Sequence, residues 1–273
     1  MATTTSLSSH DVSILSKIAD PESSPLSPLL LDPSLPNDPH HTPEDYQKVS
    51  NLEVSILHKI IKIEMQPALP NSLPSTTTDP LEAYQGAIQE LDNLISEYPK
   101  YASARNNRVQ ALRRLYGNGI FISPSENPTR SSREEAQPLI QTTDTSTLQS
   151  ISTTILSDLS LSITLLAPPP FSPLSPQSAK TLASLYTQRG ALYHHTSKHL
   201  AKNPSSTTIL SSKEASWSTT DFEEAAARDF MMGGRYGNEV AKALAVSMNP
   251  TAKLCGEIVK DAMRRVLNGG MDG

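Results

Sequence analysis

The sequence predicts an all-α protein, and three observations carry that prediction. Apolar residues recur at i, i+3 and i+4 in one segment after another. Prolines stand between those segments and at their ends, not inside them. No stretch alternates apolar and polar residues with period two between hairpin turns. The chain has 273 residues, 37% of them hydrophobic, and 22 prolines. Proline costs about 3 kcal/mol in a helix interior. The apolar segments are therefore helices only if the prolines sit in loops and at helix ends.

The elements follow in order. Asp11 is placed to cap a short helix carrying Val12, Leu15 and Ile18, and Pro21 stops it. Residues 21–43 read as Ser/Pro-rich linker, with His40 and His41 solvated in it. A helix over about 46–65 carries Val49, Leu52, Ile56, Leu57, Ile60 and Ile63 as one stripe. Asp79-Pro80 then opens a helix, a cap followed by proline in the first turn, with Tyr84, Ala87, Ile88, Leu91, Leu94 and Ile95 on one face. Helices over 101–117, 146–166, 177–198, 214–230, 235–248 and 250–268 complete the series.

Composition narrows the function classes. A net charge of −5 gives no electrostatic reason to bind nucleic acid. Cys255 is the only cysteine, so no intrachain disulfide forms, which fits a reducing compartment. The N-terminus has neither a basic n-region nor an apolar h-region, and no run of about 18 apolar residues occurs. These features predict a cytoplasmic or nuclear protein without a membrane span.

Paired helices separated by proline point to a tetratricopeptide array of period about 34 residues. Tyr186-x2-Arg189-Gly190-x2-Tyr193 fits its first-helix pattern, with Gly190 where a neighbouring helix approaches. Ser218-x3-Phe222-x2-Ala225, Ile155-x3-Leu159-x2-Ser162 and Ala87-x3-Leu91-x2-Leu94 fit the second-helix pattern. Arg108 and Arg189, in equivalent places, are 81 residues apart. Insertions at 118–145, 167–176 and 199–213 account for the excess. The predicted organisation is an N-terminal short helix and linker (1–45), three repeats (46–248), a C-terminal capping helix (249–268) and a tail (269–273).

A family resemblance rests on four collinear segments. They are Asp11-Val12-x2-Leu15-x2-Ile18-x2-Pro21; the run 101–115 with Arg105, Asn106, Asn107 and Arg108; Gln188-Arg189-Gly190 with Asp221-Phe222-x2-Ala225; and Asn249-Pro250-x-Ala252-x-Leu254-Cys255. Together they resemble the tetratricopeptide repeat protein 36 family. The resemblance implies a non-catalytic α-solenoid adaptor, associated with an Hsp70-type chaperone and linked to regulation of tyrosine metabolism. Its partner would be a peptide or helix held in a concave groove.

The candidate residues divide by chemistry. A clamp for an acidic tail needs converging cationic and amide donors. Asn107 stands where such a clamp has its asparagine, and Lys59 and Lys62 are available in the first repeat. The third repeat offers Ser184 and Gln188, with Arg189 turned about 100° away. Asn107, Gln110 and Gln188 are the partner-binding residues this predicts. Ala87, Leu91, Arg108, Leu159, Tyr186, Arg189, Gly190, Tyr193, Phe222 and Ala225 are assigned to repeat packing. His195 and His199 have the i, i+4 spacing of two metal ligands, but no third ligand accompanies them. Cys255 lies on an apolar stripe with Leu254 and Ile258 and reads as a packing residue. No catalytic set, metal site or cofactor motif stands out. The alternatives are a metal- or small-molecule-binding helical protein, an enzyme subunit, or an oligomerisation module. Five Ser-Pro dipeptides, at Ser24, Ser27, Ser123, Ser172 and Ser175, fall in predicted loops.

Overall fold

A computed structural model describes residues 29–65, 79–123, 137–169 and 171–248. Within them seven α-helices run in order: α1 (Pro43–Glu64), α2 (Pro80–Glu97), α3 (Ala102–Tyr116), α4 (Thr145–Leu166), α5 (Pro176–Lys202), α6 (Thr219–Arg235) and α7 (Glu239–Met248). A 3-10 turn, Lys213–Ser216, precedes α6. Among the described residues the fold is all-α, as predicted. Extended pairing is confined to two isolated bridges, Leu31 with Leu174 and Ile122 with Thr208. The helices predicted over 11–18 and 250–268, and Cys255, lie outside the described residues.

Local chemistry explains where the helices begin. The Asp79 carboxylate accepts from the Leu81 amide ahead of Pro80, and Asp144 accepts from Thr147 N. Ser175 caps α5 through Ser178 N, again with proline in the first turn. Ser218 and Asp221 form a reciprocal capping box at α6. At the other end of α3, Gly117 takes a φ of 83°, the left-handed conformation that glycine adopts without a Cβ clash.

Each helix packs on its neighbour in sequence, and α3 also reaches α5. One apolar cluster joins α1, α2 and the start of α3 through Val49, Ile56, Leu91, Leu94 and Tyr101. The larger cluster runs from α3 to α7 and centres on Ile155, Leu159, Leu182, Leu185, Leu192 and Phe222.

Two segments depart from the predicted loop character. Residues 118–145 begin with Ile120, Phe121 and Ile122, all buried. Ile209 N donates to Phe121 O and Ser123 N to Thr207 O, so the segment after α5 is stitched to them. The linker ahead of α1 is a strap. Leu29 packs on the larger core, and Asn37 O accepts from the Ser175 and Ser178 hydroxyls. His41 is not solvated: its side chain is only 9% exposed, it bonds Asp38 at 2.9 Å, and it sits edge-on to the Tyr101 ring. His40 remains exposed, with Nε2 2.9 Å from Leu165 O. Polar capping of carbonyls, invisible to hydropathy, holds the strap.

Candidate functional site

The polar residues singled out from sequence collect at three places where helices meet. At the first, α3 meets α4. Arg108 Nε and Nη2 donate to the two oxygens of Asp158, each at 2.7 Å, and Nη1 donates to Asp92 of α2 at 2.6 Å. Arg105 adds a 2.9 Å bond to Asp158 and another to Pro99 O. Asp158 is 1% exposed, so two guanidinium groups neutralise one buried carboxylate. Asp158 and Asp92 were not among the sequence-predicted residues. The signal for Asp158 was an acid in an otherwise uncharged helix, 50 residues from its Arg108 partner; Asp92 is one of four acids in α2 and had none.

At the second crossing α5 meets α6. Arg189 Nε and Nη2 grip Asp229 at 2.7 and 2.8 Å, and the guanidinium lies 5.7 Å from the centre of the Tyr186 ring. Burial pushes the Asp229 carboxyl up from its ordinary range, and Arg189 opposes that push. Tyr186 stacks on Tyr236 with rings 5.8 Å apart and nearly parallel. Gly190 faces Phe230 and Asp229; a Cβ there would come within 3.1 Å of the Phe230 ring. Tyr193 and Phe222 pack at 5.9 Å, and Trp217 packs against both. Ala87, Leu91, Leu159 and Ala225 are buried in the two cores.

The third place is α3 itself, which meets α1 on one side and α5 on the other and takes up two of the predicted partner-binding residues. Asn107 Nδ2 donates to Glu53 Oε1 at 2.7 Å, joining α3 to α1. Tyr101 OH donates to the other Glu53 oxygen at 2.6 Å. Burial raises the Glu53 pKa, against the hydrogen bonds from Tyr101, Ser103 and Asn107. Gln188 is buried and donates to Asn106 Oδ1 at 2.7 Å, and Ser184 donates to the same oxygen. Asn106, named in the sequence reading without a role, is therefore the α3–α5 link. Gln110 is exposed. Lys59 pairs with exposed Glu90 at 2.7 Å.

Chemically, these crossings hold helices together. Their carboxylates and amides are bonded in pairs across helices, with the donor-to-acceptor matching that makes buried polar groups tolerable. A cavity beside Tyr101, lined by Asn37, Asp38, Tyr46, Ser103 and Gln177 among others, measures about 10 Å³. That is room for about one water molecule. His199 Nε2 lies 3.3 Å from Ser206 Oγ. Among the described residues no three His, Cys, Asp or Glu side chains are grouped as metal ligands, and no helix is long and apolar enough to cross a membrane.

Comparison with known proteins corrects the family resemblance. No family model matches the chain, so the tetratricopeptide assignment fails, and with it the adaptor and chaperone roles it implied. The segments at 101–115 and at 188–190 with 221–225 are built of arginine, small and aromatic residues, which helix packing calls for in many unrelated folds. No solved structure matches either. One curated protein does: the L-tyrosine degradation gene cluster protein hmgX of Aspergillus fumigatus is 34% identical over 270 residues. The alignment covers 97% of this chain and 94% of that protein. A match of that extent, spanning all of these crossings, establishes kinship: the chain belongs to the hmgX family.

Proposed function

We propose that the chain serves L-tyrosine degradation, and that it does so through contact with another protein of that route. The observation carrying the first half is the alignment with the A. fumigatus protein across nearly the whole of both chains. Two sequences that differ in length by only a few per cent and align throughout share their architecture and have room to share their task. The second half is supported by where the chemistry lies. Arg105, Arg108, Asp158, Arg189, Asp229 and Glu53, the groups best suited to act on a substrate, are engaged in bonds between helices. The water-sized cavity beside Tyr101 is far below the several hundred Å³ of a small-molecule site. What the surface offers instead is apolar: Met65, Val240 and Val246 are all more than half exposed. A reducing, cytosolic setting agrees with the single cysteine.

The test uses the purified chain and an extract of host cells that lack it. L-Tyrosine and its breakdown intermediates should be unchanged by the chain alone. Adding the chain to the extract should restore their conversion. Turnover by the chain alone would refute the partner-based reading, and an extract indifferent to its addition would refute the role in degradation.

A further inference from the structure

Phe171 is doubly costly where it stands. Its φ is 64°, in the left-handed region that disfavours a side chain, and it is the only non-glycine residue there among those described. Its ring is 82% exposed. It lies in a turn closed by Ser172 N donating to Pro169 O at 3.2 Å. A glycine would remove the strain and the exposed apolar surface together. Backbone strain retained at an exposed aromatic marks a residue kept for contact.

The patch extends beyond one ring. Leu174, three residues on, bridges to Leu31, with Leu174 N donating to Leu30 O and Asp32 N to Leu174 O. This brings Leu30 and Leu31, each about half exposed, to the same end of α5. Exposed Pro169 adjoins them. The result is an apolar surface at the point where the strap enters the fold.

We infer that this surface is the docking site of the chain's own N-terminal segment, Asp11 to Asp20. Residues 1–28 lie beyond the described part and join it at Leu29, beside the patch. In that segment Val12, Leu15 and Ile18 fall at helical spacing, an apolar stripe by sequence. The eleven steps from Ile18 to Leu29 span at most about 40 Å. A tether this short gives a local concentration on the order of millimolar, so a modest apolar contact is enough to close it. The inference is independent of the role in tyrosine degradation.

Hydrogen exchange read by mass spectrometry on the full-length chain tests it. Residues 12–18 should exchange at least about tenfold more slowly than an unstructured peptide, at both low and high protein concentration. Phe171→Gly, which relieves strain and so preserves the fold, should return them to the unprotected rate while α4 and α5 are unchanged. Leu15→Ser with Ile18→Ser should in turn speed exchange across 168–174. The inference is overturned if residues 12–18 are unprotected in the wild type, or if protection survives Phe171→Gly. Protection that grows with protein concentration alongside a doubled mass overturns it too, because the occupant is then a second copy.

Discussion

Arg108 and Asp158 face each other through two parallel 2.7 Å hydrogen bonds, one carboxylate serving α3 and α4 at once. Arg105 shares the same acid. Removing the acid takes its shared partner from two largely buried guanidinium groups, leaving Arg108 only Asp92 and Arg105 only Pro99 O, whereas removing one arginine leaves the other in place. Asp158→Ala should therefore lose about 3–5 kcal/mol in urea unfolding, the usual cost of breaking a buried pair. Arg105→Ala should lose clearly less. Equal losses would mean that Asp158 is not the shared centre.

Glu53 makes stability depend on pH in an uncommon direction. Burial holds its pKa above the ordinary range, so the folded chain keeps a proton that the unfolded chain has released. Stability from this group is full at acid pH and falls as pH rises through the elevated pKa. Glu53→Gln does not titrate, so the stability of the variant relative to wild type should grow as pH rises from the ordinary glutamate range through the elevated pKa. Asp144 and Asp221 act oppositely: hydrogen bonds at their helix N-termini lower both pKa values. Their contribution is present above the unfolded pKa and is lost as pH falls. A flat difference between Glu53→Gln and wild type would exclude the buried, raised carboxyl.

Gly234 and Gly190 permit close approaches of unequal rigidity. A Cβ at Gly234 would lie 2.8 Å from Lys242 Cα, a backbone atom of α7. At Gly190 the nearest atom is the edge of the Phe230 ring, at 3.1 Å. Alanine gains up to about 1 kcal/mol of helix propensity at either place. Overpacking against backbone costs about 1–3 kcal/mol. Gly234→Ala should be net destabilising in thermal unfolding, and more so than Gly190→Ala. The reverse order would show that the α6–α7 turn yields more easily than the α5–α6 packing.

The phenols offer a spectroscopic check. Burial raises the pKa of Tyr46, Tyr84, Tyr101, Tyr186, Tyr193 and Tyr236, six of the eight tyrosines. Tyr84 is pushed up to about 12, with the Glu64 carboxylate accepting from its hydroxyl at 2.8 Å. Absorbance titration of the native chain should show these six resisting ionisation until alkaline unfolding. Ionisation of all eight together near pH 10 would contradict the packing described.

The helices were legible because their signals are local. Stripes such as Val49–Ile56 and caps such as Asp79-Pro80 lie within a few residues of what they specify. The strap was not legible: Asn37 and His41 act on residues far along the chain, and their composition resembles a linker. The same holds for Asp158 and Asn106, polar residues on apolar faces whose partners are fixed only by tertiary packing. Short helix-packing motifs misled for a related reason. They report that helices pack, not which family packs them. Kinship became visible only over the full length of the chain.

If the chain serves L-tyrosine degradation as proposed, cells that lack it lose that capacity. The rate at which host cells deleted for it consume L-tyrosine, with and without the chain resupplied, tests this most directly. Consumption should collapse on deletion and recover with the wild-type chain, while growth on glucose is unaffected. Undiminished consumption in the deleted cells would contradict the claim.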